Sequence, residues 1–207
     1  MPWELSPIVQ PRVLVVEGHD EEGFFEELIE HLGHHDVQVV NVQGKDMGPR
    51  LRTVVNAPGF RQVVSLGVER DANSDPAGAL QSVRGALLNA GLPAPAEPLE
   101  PVQEADLRVT VMLLPGLGRA GALEDACLAS VTERPEWECV EGLFRCLHEK
   151  GLPEPVQRAK ARVHAYLATA PNPMLRVGEA AKRRYWDLDH PAFEDIRRFL
   201  RLVAGEA

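Results

Sequence analysis

The segment Val13-Leu14-Val15-Val16-Glu17-Gly18-His19-Asp20 limits the possible folds most. Four branched apolar residues without polar alternation have the pattern of a strand buried on both faces. The run stops at an acid and a glycine. Phe24, Phe25, Leu28, Ile29 and Leu32 then follow at helical spacing. This order predicts a buried strand that carries Glu17 to its C-terminal tip, a sharp turn at Gly18, and a helix opened by Asp20. Open α/β sheets place their chemistry at such tips. A second apolar run, Val63 to Val68, ends in Glu69-Arg70-Asp71-Ala72-Asn73-Ser74-Asp75.

The alternation continues through the first 115 residues. Strands are expected at 12–16, 37–42, 62–68 and 107–114, with helices at about 20–32, through Leu51 and Val55, and from Asp75-Pro76 to Ala90. Pro93, Pro95, Pro98 and Pro101 predict a stiff connection before the last strand. Strands that alternate with helices imply a largely parallel sheet covered on both faces. After Gly121 the pattern is helical. The expected organisation is an α/β domain over 1–130, with a parallel sheet of about four strands, and a helical C-terminal extension over 131–207 packed on it.

The net charge of −9 is uneven: residues 1–150 hold 12 Lys+Arg against 24 Asp+Glu, and residues 151–207 hold 10 against 7. An acidic body disfavours broad nonspecific docking on duplex DNA, which needs many phosphate contacts. A bound cation reverses the local sign, so a small phosphate site remains compatible with that charge. No apolar run reaches the length of a membrane helix, and the first residues lack the basic flank and apolar core of a secretory signal. Cys127, Cys139 and Cys146 are odd in number and lack zinc spacing, which fits buried free thiols in a reducing cytoplasm.

Two strand tips bearing acids suggest a divalent-metal site. Asp71, Asn73 and Asp75 alternate along an extended segment, and Mg²⁺ takes a few carboxylates plus waters. The competing reading of Glu17 is a solvated loop acid. Lys45, after Gly44, is a candidate phosphate contact or a solvated lysine. Glu124 and Asp125 open a helix, where acids complement the dipole in any case. The sequence Asp71-x-Asn73-x-Asp75 begins like a calcium-hand loop, but Pro76 and Ser82 stand where that loop needs Gly and Glu. Gly116-x-Gly118-x-x-Gly121 follows the last strand rather than the first of a unit, so it reads as a flexible loop rather than a dinucleotide fingerprint. Lys182, Arg183 and Arg184 read as a solvated helix face and Tyr185 and Trp186 as packing of the tail on the body, yet together they form the best candidate nucleic-acid patch.

The Leu14-Val-Val-Glu17-Gly18-x-Asp20 segment, its helix, and the later Asp-x-Asp-like strand end resemble the TOPRIM domain of topoisomerases, primases and the overcoming-lysogenization-defect nucleases. The whole chain resembles more closely an uncharacterised bacterial and archaeal family related to that superfamily. The matching segments are Val-Glu-Gly-x-Asp, Gly-Lys-Asp, Gly-Val-x-Arg-Asp-Ala-x-x-Asp, Leu-Glu-Asp and Tyr-Trp-Asp-x-Asp-His-Pro-Ala-Phe. The resemblance implies a Mg²⁺-dependent (or Mn²⁺-dependent) phosphodiester-processing protein, foremost a nuclease, acting on nucleic acid or a nucleotide. It implies Glu17 as general acid/base, Asp71 as a metal ligand and Glu124 as a third carboxylate. Asn73 stands where the family pattern has its second Asp, so Asp75 is the expected substitute. The alternative is a non-catalytic TOPRIM-like module that binds a nucleotide or a protein.

Overall fold

The computed structural model describes residues 5–44 and 47–206. Strands β1 (Arg12–Val16), β2 (Val37–Asn41), β3 (Ser65–Asp71), β4 (Val102–Glu104) and β5 (Leu107–Leu114) form one sheet in the order β2-β1-β3-β5-β4. All neighbours are parallel except β4, which runs antiparallel to β5. The helices are α1 (His19–Leu32), α2 (Met47–Val55), α3 (Pro76–Asn89), α4 (Leu123–Ala129), α5 (Pro135–Glu149), α6 (Arg158–Leu167), α7 (Val177–Lys182) and α8 (Glu194–Ala204).

The parallel strands read as continuous apolar runs because both faces are covered. Val13, Val15, Leu66, Val68, Val109, Val111 and Leu113 pack with α2 and α3. Leu14, Val16, Met112 and Leu114 point to the opposite face, into a core shared with α1, α4 and the C-terminal helices. The chain beyond residue 131 contributes Val163, Trp186, Phe193 and Phe199 to that same core. Gly67 shows how closely α8 approaches the sheet: a Cβ there would lie 2.6 Å from Val203 and 2.9 Å from Phe199. At the α1–α7 crossing Gly23 faces Gly178 backbone to backbone, leaving no room for a side chain on either.

The four parallel strands are those expected, and Val102–Glu104, just beyond the proline-rich connection, adds a fifth by pairing antiparallel with β5. The third strand begins and ends three residues later than expected. Residues 60–62 form a 3-10 turn, and the strand runs on through Glu69 and Asp71. Polar residues near its end masked the strand, yet its ladder with β5 is continuous from Ser65 to Asp71. Among the described residues no helix is long and apolar enough to cross a membrane.

Candidate metal centre

Parallel strands share a C-terminal edge, and β1 and β3 are neighbours, so their tips converge. Along β3 the side chains alternate, which puts Gly67, Glu69 and Asp71 on the α8 face. Glu17 leaves the tip of β1, and its backbone N–H donates to Glu69 Oε2 at 3.3 Å. One helical turn along, Glu21 returns to the same place. Its carboxylate lies so close over Gly18 that a Cβ there would meet Oε2 at 2.6 Å. Opposite, the Leu123 N–H at the start of α4 donates to Asp71 Oδ1 at 3.3 Å, and Glu124 follows it.

Glu17, Glu21, Asp71, Asn73, Glu124 and Lys160 line one cleft of about 500 Å³. Lys160 arrives from α6, and its Nζ lies 3.3 Å from Glu124 Oε1. The Glu124 side chain is 4% exposed, so this ammonium compensates a nearly buried charge. Substituting Lys160 by Met removes that compensation. In metal-free buffer the fold should lose about 1–3 kcal/mol, the usual cost of stranding a buried polar group. Urea unfolding measures this, and the loss should shrink in Mg²⁺ if a cation entering the cleft takes over the compensating charge.

The acids oppose one another. Burial raises the Asp71 pKa to about 8, helped by the charges of Glu21, Glu124 and Glu17. Burial also raises Glu21, with Glu124 and Asp20 adding to the effect. Glu69 is fully buried beneath them. Its desolvation, reinforced by Asp71 and Glu21, pushes its pKa well above the carboxylate range and favours the neutral acid. Glu17 Oε2 and Glu69 Oε1 are buried without a hydrogen-bond partner.

These are hard oxygen donors with unmet polar demand, which fits Mg²⁺ or Mn²⁺ chemistry better than a soft metal. Among the described residues, no three His, Cys, Asp or Glu side chains stand at ligating distance from a common point. Lys160 holds Glu124, and like charge acts between the rest. A divalent ion would relieve that repulsion, and Mg²⁺ characteristically completes its shell with water.

The structure brings together only some of the residues singled out in the sequence. Glu17, Asp71, Asn73 and Glu124 line the cleft, whereas Asp75 does not. Its Oδ1 accepts from Gly78 N at 2.9 Å and caps α3, so the structure does not bring the expected substitute for the second Asp into the cleft. Asn73 has φ 51°, in the left-handed region that Asn tolerates well, and exchanges two 2.6 Å backbone hydrogen bonds with Gly121. Lys45 lies outside the described residues, although Gly44 donates its N–H to Glu17 O at 3.1 Å and lines the cleft.

Lys182 pairs with Glu26 at 3.0 Å, in a separate hollow between α1 and α7. Arg183 and Arg184 are exposed and do not line the cleft. Trp186 is buried against Tyr166, with ring centroids 5.6 Å apart, and belongs to the core.

Three participants escaped sequence reading. Glu21 is four residues after Glu17, a spacing that returns to the same helix end. Glu69 follows the apolar run of β3 and shares a strand face with Gly67 and Asp71. Lys160 carries no local signal, since only the tertiary fold brings α6 to the sheet edge.

No curated protein matches the chain significantly. Among solved structures it is similar to the C-terminal region of the Burkholderia pseudomallei OLD protein, with 18% identity, a TM-score of 0.37, and coverage of 96% of this chain and 88% of that one. The model of the family described as "Protein of unknown function (DUF3226)" matches residues 11–204, so the chain belongs to that family.

Proposed function

We propose that the protein is a TOPRIM-like, Mg²⁺-dependent phosphodiester-processing enzyme, most simply a nuclease. The observation that carries this reading is the meeting of Glu17, Glu21, Asp71 and Glu124 with Lys160 in one cleft at the sheet edge. Glu17, Asp71 and Glu124 would hold the ion, with Glu21 beside them. Bound there, the ion would polarise a phosphoryl oxygen and lower the pKa of a water. Glu17 takes or returns the proton of the attacking or leaving oxygen. Lys160 offsets charge on the phosphate, and Glu69 holds the Glu17 backbone in place.

The test is cleavage of single-stranded and nicked DNA and of RNA in Mg²⁺ or Mn²⁺ against EDTA. Metal-dependent cleavage is expected. Asn73→Asp should raise activity or metal affinity severalfold, since a charged carboxylate holds a hard cation better than an amide. Asp also tolerates the left-handed backbone at this position. Inactivity of both wild type and Asn73→Asp on all these substrates would favour the second reading, a non-catalytic nucleotide- or protein-binding module. The observation behind that reading is that Asn73 is tied into a backbone bridge with Gly121.

A further inference from the structure

A second cavity, of about 340 Å³, lies on the α3 side of the same sheet edge. Its walls include Pro76, Leu80, Leu113 and Leu117, with Gln81 and Arg84 as polar groups. Two chain segments each contribute to both depressions. The end of β3 and the turn after it give Asp71 and Asn73 to the acidic cleft, and the start of α3 gives Pro76 and Ala77 to the cavity. The β5–α4 loop gives Gly121, Ala122 and Glu124 to the cleft and Gly116, Leu117 and Gly118 to the cavity. The Asn73–Gly121 backbone pair, on the cleft side, ties the two segments together.

The cavity is built rather than incidental. Asp195 of α8 accepts the Leu117 N–H at 3.0 Å, and Arg119 donates to Pro115 O at 2.8 Å, which fixes the loop. Arg84 is half-buried, and its Nε is buried without a hydrogen-bond partner. A donor left in that state costs free energy until something accepts from it.

We propose that this cavity receives an unpaired nucleobase of a single-stranded nucleic acid whose backbone crosses the acidic cleft. The identity of that backbone rests on the reading of the cleft given above; the binding of the base does not. Its size is at the lower end of small-ligand sites, which suits a single base. Apolar walls suit the two faces of a base. A guanidinium presents both a stacking plane and donors to base acceptors, and the Gln81 amide donates and accepts. Glu97, exposed at the rim, repels a free phosphate and accepts from a base amino group. A base stacked in duplex cannot enter such a space without being extruded.

The test is fluorescence anisotropy of a labelled single-stranded DNA 12-mer in EDTA, where no cleavage occurs. Arg84→Met should weaken binding about tenfold, within the range that loss of one base contact produces. Leu117→Ser, which keeps the loop backbone, should weaken it severalfold and covers the case in which Arg84→Met alters the fold. An abasic 12-mer should bind wild type as weakly as the intact strand binds Arg84→Met. Equal affinity of both variants and wild type would overturn the proposal, as would equal binding of intact and abasic strands, which would mark a phosphate contact. Equal binding of a blunt duplex would also contradict it. Because binding is read without divalent metal, its failure leaves the metal-dependent reading standing, and absence of cleavage leaves the base site standing.

Discussion

Glu17→Gln should abolish metal-dependent cleavage, by about 10²–10⁴-fold, the range expected when a positioned acid/base is removed, while leaving the fold intact. The substitution is isosteric, and the contact that anchors this position uses the Glu17 backbone N–H on Glu69, which the amide side chain does not disturb. It also removes one of the charges that oppose Asp71. In EDTA the melting temperature should therefore equal or exceed that of wild type. Cleavage and thermal melts on the same preparation separate loss of chemistry from loss of structure. Cleavage that persists in purified Glu17→Gln would remove this residue from the catalytic role.

Divalent metal should stabilise the protein, and more so towards pH 8. Asp71 in the folded, metal-free chain titrates near pH 8, far above an ordinary aspartate, because it is buried among acids. Between about pH 4 and pH 8 the folded state holds a proton that the unfolded state has released. Stability therefore falls as pH rises through that window and levels off above it. A cation competes with this proton, so its affinity rises over the same interval. At a concentration of about 100 times Kd, a ligand that binds only the folded state adds about 2.7 kcal/mol. For a chain of this length that corresponds to roughly 5–10 °C. Scanning calorimetry in EDTA and in Mg²⁺ at pH 6 and pH 8 reads both effects. Asp71→Asn should lose the metal-induced shift and the Asp71 share of the pH slope, leaving the share that comes from the raised Glu69 and Glu21. An unchanged metal shift in Asp71→Asn would locate binding elsewhere.

Local patterns predicted the sheet and its first acidic tip well, because the information is local there. An unbroken apolar strand followed by Glu17-Gly18 and a helical stripe specifies a strand, turn and helix almost independently of the rest of the chain. Asp71 was legible for the same reason. What lay hidden depended on register and on distant packing. The extension of β3 through Glu69 and Arg70 follows from pairing with β5, which local polarity argues against. That register sends Glu69 inward beneath Glu17 and leaves Asp75 to cap α3. The short β4 follows a proline-rich stretch and is recognisable only by its partner. Lys160 reaches Glu124 across 36 residues of chain, through a helix whose sequence shows only an amphipathic face. At position 73 the sequence showed a missing charge. The backbone supplies the context, a left-handed residue paired with Gly121.

On the proposed function, Glu17, Asp71 and Glu124 bind one divalent cation at the edge of the sheet. An anomalous difference map from crystals grown in Mn²⁺ tests it most directly. The expected result is a peak within ligand distance, about 2.0–2.4 Å for a hard cation of this size, of carboxylate oxygens of Glu17 and of Asp71 or Glu124, with Glu124 drawn away from Lys160. Ordered Mn²⁺ elsewhere on the protein, with the Glu124–Lys160 pair intact and no peak in the cleft, would contradict it.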